Sequence, residues 1–264
     1  MKSFLQKITE TPQKTKNTNI TKITANVFSV LFFFVMWQFL SIKIASPLIL
    51  PKPFEVLKIM PQLLTEKTFQ IHFLQTFLRV VYAFLISISA GFFLGLICAK
   101  NNFFKYFFDF PLQIIRTTPV ISVILIALFW FNSNFLPVFV SVLMNLPIVI
   151  TCVQEGFLSV SKKELFLAQV FRISKTKRFF YIEFPACLPY FINSVDSVFG
   201  LCWKVVVAGE VMCLPKNAVG KVMANAQVNL ENKMVLAITV LLIIASYLTQ
   251  ILIKKLFLRL CKNL

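Results

Sequence analysis

Long apolar runs, separated by charges at intervals that fit a lipid bilayer, organise this chain. Lys22 and Lys43, Arg79 and Lys100, and Lys233 and Lys254 each enclose 20 uncharged residues. At a helical rise of about 1.5 Å per residue, each run covers a hydrocarbon core of about 30 Å and predicts one membrane span. Between Arg116 and Glu155 stand 38 uncharged residues, interrupted by Asn132-Ser133-Asn134 and Pro137. That length and those turn residues predict a transmembrane hairpin of two spans. A less pure run, from about Leu188 to Cys213, carries Asp196, Lys204 and Glu210 and predicts a further span. The fold class is thus an all-α membrane protein of about six transmembrane helices over residues 23–264, behind a basic tail 1–22. One stretch breaks the pattern: from Ser161 to Pro189 the chain turns polar and basic, and then re-enters apolar sequence.

Composition agrees with lipid as the solvent. The chain is 58% hydrophobic, holds 31 Phe, has a mean hydropathy of +0.80 and is only 14% charged. These values exclude an ordinary soluble domain. Of the 27 Lys and Arg residues, 18 fall on one side of the predicted spans, in 2–22, 100–116, 162–178 and 254–262, and 7 on the other. Short cytoplasmic segments retain positive charge during insertion, so both termini and the 161–184 segment are expected in the cytoplasm. The net charge of +17 then reflects topology and attraction to anionic membrane lipid, and no nucleic-acid partner is implied. Residues 1–22 lead into an apolar run without a small-residue cleavage site, which reads as a cytoplasmic tail and not a signal peptide.

Catalytic chemistry is not visible. The six cysteines (Cys98, Cys152, Cys187, Cys202, Cys213 and Cys261) lack CxxC spacing and read as small apolar packers within or near spans. His72 is the single histidine. There is no HExxH, no GxSxG and no GxxxxGK[ST] phosphate loop, so no metal, cofactor or nucleotide site is expected. If ATP is used, another subunit supplies it.

The polar segment has helix signals. Ser161 followed by Glu164 is a capping-box pattern, with Leu165, Leu167, Ala168 and Phe171 apolar behind it. Ser174 is placed to cap a second short helix, with Phe179, Phe180 and Ile182 apolar and Lys175, Lys177 and Arg178 exposed. Pro185 and Pro189 mark the return to the membrane. Such a segment is either an amphipathic loop lying on lipid or a docking surface.

Its spacing resembles the signature of binding-protein-dependent ABC importer permeases: EAA, three residues, G, nine residues, I, one residue, LP. Aligned on Pro185, the pattern puts Phe184 at the Leu, Ile182 at the Ile, Arg172 at the Gly and Phe166-Leu167-Ala168 at EAA. The Glu, the first Ala and the Gly are replaced. Other stretches resemble the nitrate, sulfonate and taurine branch of that family: Leu50-Pro51-Lys52-Pro53; Leu78-Arg79-Val80 before Gly91 and Gly95; Asp109, Pro111, Arg116 and Pro119; Trp130-Phe131-Asn132; Pro147; and Trp203 with Glu210. The resemblance implies a type I importer transmembrane domain in the cell inner membrane, working as a permease homodimer. Its implied partners are cytoplasmic ABC ATPase subunits and an extracytoplasmic solute-binding protein. The ATPase-coupling residues would be Phe166, Leu167, Ala168, Phe171, Arg172, Lys175, Lys177, Arg178, Ile182 and Pro185. The cargo would be a small solute such as nitrate, a sulfonate, bicarbonate or a vitamin precursor. If position 172 needs a positive φ, arginine there carries about 1 kcal/mol of strain.

Individual residues keep plain physical readings beside this one. Gly91 and Gly95 allow two helix backbones to approach, within one chain or across a dimer. Pro119, Pro137 and Pro147 shape kinks or span ends. Arg79 reads as an outer-end residue snorkelling to headgroups. Lys204, two turns and about 80° from Asp196, is read as paired with Asp196, as paired with a neighbouring span, or as lining a translocation path with Asp196, Trp203 and Glu210. A multi-pass anchor or assembly protein, and a membrane enzyme, are the other classes that remain.

Overall fold

The computed structural model describes residues 16–262, so the first 15 residues of the expected basic tail lie outside the described residues. The chain runs as α1 Lys16–Ile44, α2 Pro53–Thr65, α3 Lys67–Lys100, α4 Asn102–Thr117, α5 Val120–Ala127, α6 Leu136–Leu158, α7 Lys162–Val170 and α8 Lys175–Arg178. A π-helical turn, Phe179–Glu183, leads into α9 Phe184–Cys213, followed by α10 Val219–Val228 and α11 Asn232–Lys262. No strand occurs among the described residues. Among the described residues five helices are long and apolar enough to span a membrane, and α4 with α5 supplies a sixth span if that bent pair is counted as one.

The helices overrun the charge-free stretches that announced them, because a backbone in lipid keeps its hydrogen bonds by staying helical through its polar flanks. The largest correction is the hairpin. Its first arm begins at Asn102, ahead of Arg116, and bends by 100° between α4 and α5. Pro119 causes the break: it has no N–H and drives Thr118 out of the helical region, to ψ 129°. Lys105, Asp109 and Arg116 therefore ride on this arm and do not lie in a connecting loop. Pro137 sits in the first turn of α6, while Pro147 and Pro189 lie inside α6 and α9.

The centre of the bundle is α3, α6 and α9. Apolar burial between helices gains little over lipid, so close van der Waals contact has to hold them. Glycines make that contact possible. A Cβ on Gly91 would lie 2.5 Å from Val149 Cβ, and one on Gly95 2.7 Å from Val153 Cβ, so the GxxxG pair seats α3 on α6 within this chain. Gly156 does the same for α6 against Cys187 of α9. Around these contacts Phe84, Val149, Phe199, Cys202 and Trp203 form the main buried cluster. Four of the described cysteines are buried and none forms a disulfide, in keeping with packing. By contrast α1 is peripheral, fixed by Trp37 Nε1 donating to the Pro51 carbonyl at 3.2 Å and Ser41 Oγ donating to the Leu50 carbonyl at 2.9 Å. Apolar side chains such as Phe28 and Phe39 face outward.

Candidate functional site

Residues 161–184 form a compact knuckle between α6 and α9. Ser161 Oγ accepts from the Lys163 N–H at 3.2 Å and opens α7; Ser174 Oγ accepts from the Lys177 N–H at 3.4 Å and opens α8. Both serine caps match the sequence reading. Between the helices Arg172 has φ 49°, the left-handed conformation that a glycine would take without strain. The Arg172 N–H donates to the Gln169 carbonyl at 3.0 Å and the Ile173 N–H to the Ala168 carbonyl at 2.9 Å, closing a Schellman turn. Of the predicted apolar stripe Ala168 is buried and Leu165 half-buried, whereas Leu167 and Phe171 are exposed, as is the neighbouring Phe166. Arg172, Lys175 and Lys177 are exposed beside them, and Ile182 and Pro185 are half-buried at the root. Arg178 departs from its expected exposure: its Nε donates to Glu183 at 2.7 Å, across the π-helical turn. Phe179 anchors the knuckle, stacking on Phe157 of α6 at 5.8 Å with Lys100 of α3 4.4 Å from its ring centroid.

A second set of polar groups lies inside the bundle, away from the knuckle. Glu210 is fully buried, accepts from Arg79 Nη1 at 2.8 Å and from Gly220 N–H at 3.1 Å, and lies 2.9 Å from Thr76 Oγ1. Arg79 also donates to the Lys216 and Asn217 carbonyls, and Thr76 Oγ1 accepts from the Val219 N–H at 3.0 Å. Arg79 is only 8% exposed, so the snorkelling reading is overturned. It sits thirteen residues into α3 and its charge is met by Glu210, which holds the loop after α9 onto α3. Gly220 is required there, since a Cβ would come within 2.4 Å of Glu210 Cβ. Removing one partner of such a pair costs about 3–5 kcal/mol, because the other charge is left buried.

The four path candidates therefore separate. Glu210 belongs to this staple, and Trp203 is buried against Phe73 and Phe77 with Nε1 3.3 Å from Thr249 Oγ1. Asp196 pairs with Lys254 of α11 at 2.7 Å and accepts from Gln250 at 3.0 Å, so the expected Asp196–Lys204 pairing is not made. Lys204 alone of the four is exposed, on the α9 face that also carries Asn193 and Ser197, and it has no ion pair among the described residues. Sequence reasoning missed the partners Thr76 and Lys254 because they lie 134 and 58 residues away. The usable signal was electrostatic: isolated charges of opposite sign in separate spans, Arg79 and Glu210, have each other as the cheapest partner.

The apolar spans, the glycine-seated core and the polar knuckle between two spans are those of an all-helical membrane domain. The chain belongs to the family described as binding-protein-dependent transport system inner membrane component, whose model matches residues 91–260. It is 28% identical over 204 residues to the nitrate import permease protein NrtB of Synechocystis sp., covering 72% of each chain. To the taurine transport system permease protein TauC of Escherichia coli it is 22% identical over 226 residues, 82% of this chain and 81% of that one. Its fold is like that in the crystal structure of an amino acid ABC transporter with histidines, with TM-score 0.54 at 12% identity, over 71% of this chain and 91% of that chain. The resemblance to the nitrate, sulfonate and taurine branch is thus upheld.

Proposed function

We propose that this chain is the membrane-spanning subunit of an ATP-driven importer that moves a small anion into the cell by alternating access. In this reading two copies enclose a path, an extracytoplasmic binding protein delivers the solute, and a pair of cytoplasmic ATPase subunits docks on residues 161–184. The observation that carries the reading is the knuckle. Phe166, Leu167 and Phe171 stand exposed among cations on a segment braced by caps and by Phe179, which suits an apolar socket on a partner with acidic edges. Force applied there reaches α9 through the π-helical turn, α6 through Phe157 and α3 through Lys100. Lys204 supports the anionic cargo: a lysine projecting from mid-span is costly in lipid and is accommodated in a water-filled path.

The test is co-purification in detergent with the candidate ATPases. The wild-type chain is expected to retain one of them, and Phe171→Asp to lose it while remaining monodisperse. If the wild-type chain retains none, or Phe171→Asp changes nothing, the docking role fails and a membrane anchor becomes the better reading.

A further inference from the structure

Helix α2 plays no part in that scheme, yet its surface is sharply divided. At about 100° per residue its side chains fall into three arcs. Val56, Ile59, Met60 and Leu63 turn to the bundle, with Val56 and Leu63 fully or almost fully buried. Glu55, Lys58, Gln62 and Thr65 form a polar arc, and Glu55 reaches Lys233 at the start of α11. Phe54, Leu57, Pro61 and Leu64 form the third arc, apolar and exposed. A helix in water has no use for a second apolar arc of this kind, whereas a helix lying between a bundle, water and hydrocarbon needs one face for each.

The packing of α2 gives its depth. It lies on the side of the membrane away from the knuckle, where α1 ends and α3 and α11 begin. Trp37, which holds the Pro51 carbonyl just ahead of α2, is seven residues, about 10 Å, short of the end of α1 at Ile44. On α11, Ala237 and Leu241 share an apolar cluster with Val56 and Leu63, and they are five and nine residues, about 8 and 14 Å, beyond its start at Asn232. Helix α2 thus packs below the ends of two spans, at the depth where headgroups give way to acyl chains.

We propose that α2 is an interfacial helix whose exposed arc is seated in the lipid leaflet away from the knuckle, with Lys58 at the phospholipid phosphates. Lys58 is placed for this: its Nζ lies 4.7 Å from the centroid of the Phe54 ring, on the border between the polar and apolar arcs, where a cation can rise to the headgroups. A second copy of the chain is the poorer occupant. Helices that meet within a membrane approach through small residues, and this arc consists of a ring, two leucines and a proline. A partner arriving from water would meet the polar arc instead.

The experiment places a tryptophan on each arc of the full chain in phosphatidylcholine nanodiscs and subtracts the emission of the native Trp37, Trp130 and Trp203. Phe54→Trp and Leu57→Trp are expected to add emission that is quenched by phospholipid brominated along its acyl chains and sheltered from aqueous iodide. Gln62→Trp is expected to show the reverse. Two positions on the apolar arc keep the result readable if one replacement disturbs α2. Quenching of Phe54→Trp and Leu57→Trp by iodide to the extent seen for Gln62→Trp would overturn the proposal in favour of a surface open to a partner from water. Protection of both from iodide and from brominated lipid would overturn it in favour of a face covered by a second copy.

Discussion

Arg172 marks both the strength and the limit of reading single residues. The resemblance placed a glycine at this position, and the left-handed φ of 49° gives the physical reason for one. Arginine there carries strain of about 1–2 kcal/mol, partly offset because glycine would leave the unfolded chain freer by about 0.4–1 kcal/mol. Arg172→Gly is therefore expected to raise the thermal midpoint in detergent slightly. Arg172→Val, β-branched in a region that suits such side chains worst, is expected to lower it. Glu210 teaches the complementary lesson. Its chemistry in the sequence, an acid in an apolar span, pointed to the path, but its environment makes it a staple, with Arg79, Thr76 and Gly220 closing around one carboxylate.

At the scale of elements, ties between helices decide which ends move together. Lys233, at the start of α11, ion-pairs with Glu55 of α2 at 2.6 Å. The hydrogen bond from Lys233 holds the half-buried Glu55 carboxyl below its ordinary value of 4.5. A lowered folded value means that the tie is complete above pH 4.5 and is lost as pH falls through the folded value beneath it. Protection of residues 53–65 against hydrogen exchange, taken relative to the intrinsic rate at each pH, is expected to fall on acidification below that point, and Glu55→Gln to abolish that fall. Protection that falls equally in Glu55→Gln would show that the tie does not hold α2. The caps of α7 and α8 were legible because a cap is local: Ser161 and Ser174 need only the next few N–H groups. The bend between α4 and α5 was only half legible. Pro119 signalled a kink, but that α4 carries Lys105, Asp109 and Arg116 on the same arm follows from its packing on α3 and α6, which no local pattern encodes.

For the whole molecule, orientation follows from charge. Moving Arg116 from an expected loop into the membrane leaves the strong bias of Lys and Arg toward the side of residues 161–184. A fluorescent-protein fusion after Leu264 is expected to be bright in the cytoplasm, and an alkaline phosphatase fusion after Lys216 to be active outside; the reverse result would invert the topology. What the sequence determined by itself was the class of solvent, the number and approximate place of the spans, the polar knuckle and the family. Each of these depends on runs of residues read against bilayer thickness or on short local spacing. Only the tertiary structure decided which charges meet: Arg79 with Glu210, Asp196 with Lys254, and Arg116 and Lys204 in no ion pair among the described residues. In a medium that makes unpaired charge costly, pairing is settled by which helix faces come together. Those faces are fixed by close contacts such as Gly91 on Val149 and Gly156 on Cys187, between residues far apart in the chain.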